Sequence, residues 1–359
     1  MTRLALVHDY LLVLRGAERT FAAMSDVWPQ APILTLLYDE DGTAQRFSGR
    51  AVTTSPLQRL GVRQESFRAA LPVLSTAVRR LPLRGFGCVV SSSSAFAHGV
   101  RKTEGARHVC YCHSPFRYAW HEQARALAEV PRPLRPLLAL ILRRHRRFDR
   151  RAAREVDQYV ANGQLTRARI RRFWGRDALV VHPPVDVERF SIRQPQEYVL
   201  FVGELLPHKR PQVAIEAAAA AGRRIKVVGS GPELGRLRAR YGREAEFLGR
   251  VGDEEIARLY GEAAALVVPN VEEFGVAAVE AQAAGRPVVA VDAGGVRETV
   301  EPGRTGLLVP DGDPGALARA LRGDLARFDP DEIRSHAQRF RREAFQARLR
   351  EIVEATCER

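Results

Sequence analysis

The sequence predicts an α/β protein built from two doubly wound parallel sheets, each in its own domain. Three observations carry this expectation. A chain of 359 residues is long enough for two cores at roughly 150 residues per domain. Short apolar, β-branched runs alternate with longer helical patterns in both halves, as parallel strands joined by crossover helices do. Between the two series stands HPPVDVERF, His182 to Phe190, whose paired prolines block a helix and favour extended chain. The expected division is residues 1–186, residues 187–335 and a terminal helix over 336–359.

In the first half the strand candidates are Leu4–Val7, Ile33–Leu37, Cys88–Ser91, His108–Cys112 and Gln158–Ala161. The second series is cleaner, with Val199–Val202, Ile225–Val228, Ala265–Val268, Val288–Val291 and Leu307–Val309 each bounded by Gly or Pro. From Pro330 onward, Ile333, Phe340, Phe345, Leu349 and Ile352 recur at near-helical spacing among charges, which predicts a terminal amphipathic helix or pair. Ligands of such sheets sit outside the carboxyl ends of the strands, and two such domains imply a cleft.

Composition narrows the class. With 45% apolar, 27% charged and 7% aromatic residues, neither a disordered tail nor a fibrous repeat fits. The longest apolar stretch, around Pro136–Leu142, is bracketed by arginines and is far short of the roughly 18 residues of a membrane span. At the N-terminus LALV runs into His8, Asp9 and Tyr10, which interrupts a signal-peptide apolar region. A cytoplasmic chain is expected. Its four cysteines, Cys88, Cys110, Cys112 and Cys357, are too few for a disulfide scaffold and are expected to be free thiols.

The net charge of +14 is one-sided: residues 1–190 hold 31 Lys+Arg against 16 Asp+Glu, and residues 191–359 hold 25 against 26. A basic first half predicts attraction to an acidic partner, whether nucleic acid, anionic lipid or a phosphorylated substrate. The arginines of LRRHRRFDRRAAR, Leu142 to Arg154, are spread around most of a helix with one aromatic, Phe148, which argues against nucleic acid. They suit either a solvated helix or a membrane surface. The run Pro72–Leu83, with Val73, Leu74, Ala77, Val78 and Leu81 beside Arg79 and Arg80, either lies in a membrane interface or faces the sheet.

Several segments at strand ends carry the residue types of phosphate and polyol chemistry. Gly16 opens a helix, where backbone N–H groups and the dipole accept an anion or an ordinary turn is made. His113, in CYCHSPFRYAW, stands just beyond a strand, either packed in the core or facing a cleft. Cys110 and Cys112 beside it have poor zinc spacing and share one sheet face, so no metal is expected. In GELLPHKRP, Gly203, Lys209 and Arg210 follow a strand, and two cations there suit a diphosphate. Gly229 and Gly231 precede Pro232, as a backbone nest or a turn. The segment Pro269 to Val300 is the most informative: Glu272 and Glu273 follow a strand, Gly275 opens an apolar helix, and Glu280 sits on that helix among small apolar residues. A carboxylate so placed needs hydroxyl or amide partners. Two carboxylates flanking backbone N–H groups around Gly275 and Val276 can grip two polyols with a phosphate between them.

Taken together, Glu272 and Glu280 with Phe274-Gly275 between them, Gly294-Gly295, Lys209-Arg210, RGAER, SSSSAFAHGV, CHSPFRYAW and VVHPPVD resemble the family-4 glycosyltransferases, which have the GT-B fold. The N-terminal motifs resemble a bacterial branch of mannosyltransferase-like enzymes that build surface polysaccharides, and the resemblance runs from about residue 3 to 320. It implies that Glu272 meets the donor sugar, that backbone at Phe274, Gly275 and Val276 meets sugar and phosphate, and that Glu280 binds ribose. It further implies that Lys209, with Arg210, neutralises the leaving diphosphate, that Gly16, Gly203, Gly229 and Val251 line the donor site, and that His113 holds a sugar hydroxyl. The implied reaction is transfer of a hexose, by branch resemblance mannose from GDP-mannose, with retention, without metal or other cofactor, to a glycan acceptor that is lipid-linked. The implied partners are the nucleotide sugar, that acceptor and an anionic membrane surface on the inner face of the membrane, with no nucleic acid. Two positions depart from the family pattern, Glu204 where Arg usually follows the glycine and Arg15 where a glycine is common. The alternatives are another GT-B enzyme, such as a sugar-nucleotide epimerase, or a non-catalytic nucleotide-sugar or nucleic-acid binding protein.

Overall fold

The structure is a computed structural model that describes residues 3–61 and 67–358, with the side chains of residues 67 and 68 left out. Its described residues form two compact units: residues 1–182 with the returning segment 345–359, and residues 183–344. The first break thus falls at 182/183 rather than 186/187. Residues 336–344 stay with the second unit because Ala337 and Phe340 are buried in its core.

In the first unit the strands are β1 (Leu4–His8), β2 (Ile33–Thr35), β3 (Val52–Thr54), β4 (Cys88–Ser93), β5 (Arg107–Cys112), β6 (Gln158–Ala161) and β7 (Ala178–Val180). They pair in the order β3-β2-β1-β4-β5-β6-β7, and each of these pairs is parallel. The second unit has β8 (Tyr198–Val202), β9 (Arg224–Val228), β10 (Ala245–Gly249), β11 (Ala265–Val268), β12 (Val288–Val291) and β13 (Gly306–Val309), in the order β10-β9-β8-β11-β12-β13 and again parallel. In both sheets the first strand lies between the second and the fourth, so the chain reverses its direction of winding there. The loops leaving those two strands diverge to opposite faces and open a crevice at their carboxyl ends.

Apart from β13, which lies at an edge, the strands read from composition are the central ones, because strands covered on both faces are continuous apolar runs: Ala5, Leu6, Val7, Val89 and Val90 are buried, as are Val199, Leu200, Leu266 and Val267. The strands sequence reasoning missed, β3, β7 and β10, each lie at a sheet edge and leave most of their positions partly or fully exposed. The run Pro72–Leu83 resolves against the interface reading: its helix, Leu71–Val78, turns Leu74 and Val78 into the core with Leu81, leaving Val73 outside.

The terminal helix, Arg342–Cys357, lays Phe345, Leu349, Ile352 and Val353 against Leu6, Phe21, Met24 and Tyr111 of the first unit. The Phe345 ring meets the edge of Tyr111 at 5.5 Å, and Gln346 Nε2 donates to the Ala23 carbonyl at 2.9 Å. That docking brings Cys357 to Cys88 on β4, with Cα atoms 5.7 Å apart, and the two form a disulfide. The expectation of four free thiols is therefore corrected. The pairing joins positions 269 residues apart, which linear spacing does not reveal. Cys110 and Cys112 are buried and take no part in this disulfide.

Leu349 is wholly buried, and truncating such a leucine costs about 2–5 kcal/mol. Leu349→Ala is expected to lower the stability of the first unit by that amount in urea unfolding. A change within measurement error would show that the helix does not carry this core.

Candidate active site

In the second unit the site residues gather where β8 and β11 release their loops. After β8, Gly203 to Arg210 runs over the sheet edge, with Gly203 N–H donating to the Val228 carbonyl at 3.0 Å and Leu205 N–H to the Ser230 carbonyl at 2.9 Å. These loops touch so closely that a Cβ at Gly229 would lie 1.9 Å from the Gly203 carbonyl oxygen, and Gly229 has φ +134°. Only glycine meets both demands. Gly229 and Gly203 thus hold the two strand-end loops together, and the close-packed turn is the reading the geometry supports at Gly229.

Lys209 and Glu272 meet. The ammonium lies 2.7 and 2.8 Å from the two carboxylate oxygens, and Asn270 Nδ2 donates to Oε1 at 2.8 Å. Both charged side chains are about one-quarter exposed, so the pair is open to a ligand yet held in one geometry. The backbone of Glu272 is fixed by a bridge to Gly294, and its carbonyl accepts the Gly295 N–H at 2.8 Å. Arg210 goes elsewhere: it caps the helix Pro211–Ala220 with φ +50° and pairs with Asp311 at 2.5 Å. The two adjacent cations therefore do not converge in this structure. Glu204 is exposed on the same loop.

Gly275, at φ +93°, caps the helix Val276–Ala283, whose first-turn N–H groups mark a positive end. Phe274 is buried and meets Phe340 edge-on at 5.6 Å, so its side chain belongs to the core and only its backbone is available to a ligand. Val276 is exposed. Glu280 accepts the Tyr260 hydroxyl at 2.9 Å, and Arg189 lies 3.8 Å away. This answers the need of a carboxylate on an apolar helix for a hydroxyl partner. Burial and the Glu280 charge push the Tyr260 phenol well up, so it stays a donor. Val251 packs, partly buried, against the same core.

In the first unit Gly16 opens the helix Gly16–Ser25 with open space at the position of its absent Cβ. Glu18, in the first turn, already accepts the Arg15 N–H at 3.1 Å, a carboxylate at a positive helix end. His113 follows β5, is 8% exposed, and its Nε2 lies 2.8 Å from Ser92 Oγ. Burial, with His8 nearby, pushes the His113 imidazole down to about 3, so it is neutral near pH 7. Cys110 sits in an apolar cluster with Cys112, and burial pushes its thiol up to about 12, which leaves it unreactive.

Sequence reasoning missed the supports of these groups: Asn270, Tyr260 and Arg189 in the second unit, and His8, Ser92 and Asp9 in the first. Asp9 is the clearest. Its carboxylate accepts the backbone N–H groups of Ser94, Ala95, Phe96 and Ala97 at 2.5–2.9 Å, anchoring the SSSSAFAHGV stretch to the end of β1. The only signal in the sequence was an acidic residue straight after a buried strand.

Comparison with known proteins places this geometry. Residues 15–189 match the family described as Glycosyltransferase Family 4, and residues 196–326 match Glycosyl transferases group 1. A D-inositol 3-phosphate glycosyltransferase of Streptomyces scabiei is 35% identical over 209 residues, covering 48% of this chain and 47% of that protein. A second, of Streptomyces avermitilis, is 34% identical over 250 residues, covering 58% and 52%. The chain thus spans about half the length of the curated relatives it matches. Among solved structures, Anabaena HepE in complex with UDP is similar with a TM-score of 0.71 at 17% identity, over 98% of this chain and 100% of that one. A sucrose-phosphate synthase from Thermosynechococcus elongatus reaches 0.72 at 18% identity, over 98% of each chain. Two Rossmann-like units with this strand order, matched in turn by these two families, make the chain a member of the group 1/family 4 glycosyltransferases with the GT-B fold.

Proposed function

We propose that the chain transfers a hexose from a nucleotide sugar to a glycan acceptor, with the donor bound at the carboxyl ends of β8 and β11. The observation that carries this reading is the Lys209–Glu272 pair, held by Asn270, beside the N-terminal end of the Gly275-capped helix that bears Glu280. A sugar diphosphate offers each group an alternative partner. Its phosphate oxygens compete for the Lys209 ammonium, and the carboxylate of Glu272, so released, accepts sugar hydroxyls. Glu280, steadied by Tyr260 and Arg189, accepts the ribose hydroxyls. Leaving-group charge then develops on the diphosphate against Lys209 and the helix end, where a preorganised cation lowers the barrier.

In this proposal anomeric configuration is retained, no metal takes part and the acceptor is lipid-linked; these points rest on the motif resemblance. Mannose from GDP-mannose rests on that resemblance too. The complexes of Anabaena HepE with UDP and with UDP-glucose favour a UDP-sugar as the competing donor.

A membrane-facing role has its own support. On the helix Arg135–Ala152, Leu137 and Leu140 are 58% and 64% exposed, and Leu134 just before it 52%. Arg143, Arg144 and Arg147 continue the exposed face. Apolar side chains followed by a basic run suit an anionic lipid surface, where each cation contributes about 1 kcal/mol.

Glu280→Ala is expected to weaken nucleoside diphosphate binding by about 1.5–3 kcal/mol, a tenfold or greater loss in calorimetry. Glu272→Ala is expected to lower turnover far more than nucleotide affinity. Unchanged affinity in the first variant would remove the ribose role. In vesicle flotation, binding to anionic but not neutral vesicles is expected, fading with salt and reduced by the double variant Leu137→Ser, Leu140→Ser. Equal binding to both lipids, or none at low salt, would remove the membrane role.

A further inference from the structure

A chain of buried polar groups in the first unit runs from Glu18 to His113 through His8 and Ser92. His8 ends β1 and is the register partner of Ser92 on β4, and His113 follows β5, its N–H bonded to the Ser93 carbonyl at 2.9 Å. Ser92 Oγ lies 3.0 Å from His8 Nδ1 and 2.8 Å from His113 Nε2. A hydroxyl carries one proton and two lone pairs, so Ser92 can donate to only one of the two rings, and a ring that receives no proton from it must donate its own. The two rings therefore cannot choose their tautomers independently.

The choice is made at the far end. Glu18 Oε1 lies 3.9 Å from His8 Nε2, and the two side chains are 8% and 2% exposed. Solvent screens such a pair weakly, so the carboxylate favours a proton on the nitrogen that faces it. With Nε2 protonated, neutral His8 has a lone pair on Nδ1 and accepts the Ser92 O–H. Ser92 Oγ then accepts the Nε2–H of His113, and Nδ1 of His113 is left with its lone pair. Among the described residues that Nδ1 has no hydrogen-bond partner. Phe21, stacked on His8 at 4.7 Å, and Tyr111, edge-on to His113 at 5.1 Å, hold both rings against rotation.

We propose that Glu18, His8 and Ser92 are positioning residues that fix His113 as its Nε2–H tautomer, so that its Nδ1 presents a hydrogen-bond acceptor. The ligand group this selects is a hydroxyl, and an anionic oxygen such as phosphate is disfavoured there. That consequence rests on the proposed glycosyl transfer; the tautomer does not.

The test is a two-bond 1H–15N correlation spectrum of the full chain with 15N-labelled imidazoles, resonances assigned with His8→Asn and His113→Asn. The wild-type chain is expected to show both His8 and His113 as Nε2–H tautomers. Ser92→Ala is expected to leave His8 as it is and to give His113 averaged shifts. Ser92→Thr, which keeps the hydroxyl, is expected to preserve the wild-type pattern. In Glu18→Gln the side-chain carbonyl takes over the Arg15 N–H and the amide group faces His8, so His8 is expected to turn to its Nδ1–H tautomer, which frees the Ser92 proton and releases His113 from a single tautomer into averaged shifts. An Nδ1–H tautomer of His113 in the wild-type chain overturns the proposal, and this spectrum decides the matter even if Ser92→Ala fails to fold. An unchanged His113 in Ser92→Ala, or unchanged tautomers in Glu18→Gln, overturns it as well. No nucleotide sugar is present, so failure here leaves donor binding standing, and failed donor binding leaves the relay standing.

Discussion

Parallel pairing of every described strand is the constraint on which the rest of this molecule depends. In a parallel sheet all carboxyl ends emerge at one edge, and the backbone groups there that find no ladder partner must be satisfied by loops, helix ends or ligands. Both units place the first strand between the second and fourth, which parts the loops at that point. Gly203, Lys209 and Glu272 in one unit, and His8, Ser92 and His113 in the other, lie at these positions because the winding puts them there.

What the sheet edges leave open, charged side chains then organise. Asp9 ties four backbone N–H groups of the segment after β4 to the end of β1; bonds from N–H groups to an ionised acceptor are among the stronger ones in a protein. Lys209 and Glu272 satisfy one another across two strand-end loops, so neither charge is stranded in a half-buried site. In the proposed function such a pair exchanges partners when a diphosphate and a polyol arrive together. Arg210, drawn to Asp311, shows that adjacency in sequence does not set direction: its φ of +50° turns the chain between the two cations.

Legibility followed locality. The central strands were visible because burial on both faces makes them uninterrupted apolar runs, whereas β3, β7 and β10 lie at sheet edges and leave most of their positions partly or fully exposed. Glu272, Glu280 and Gly275 stood out because they lie within one short segment. Their partners did not: Tyr260 is 20 residues from Glu280 and Lys209 is 63 from Glu272, and no local spacing connects them. The same holds for His8, Ser92 and His113, brought together by strand register, and for Cys88 and Cys357, joined only once the last helix docks. The pair Gly203 and Gly229 reads as two turn glycines until the 1.9 Å approach shows why one of them bears no side chain.

The central claim is that the strand ends of the second unit hold a nucleotide-sugar donor. Hydrogen–deuterium exchange of the full chain with and without saturating UDP or GDP tests it most directly, because it reads the backbone amides that the account assigns to the ligand. Protection is expected at residues 203–210 and 272–280, with the first unit's edge strands β3 and β7 unchanged. Protection confined to other segments, with these two unaltered, would contradict the account.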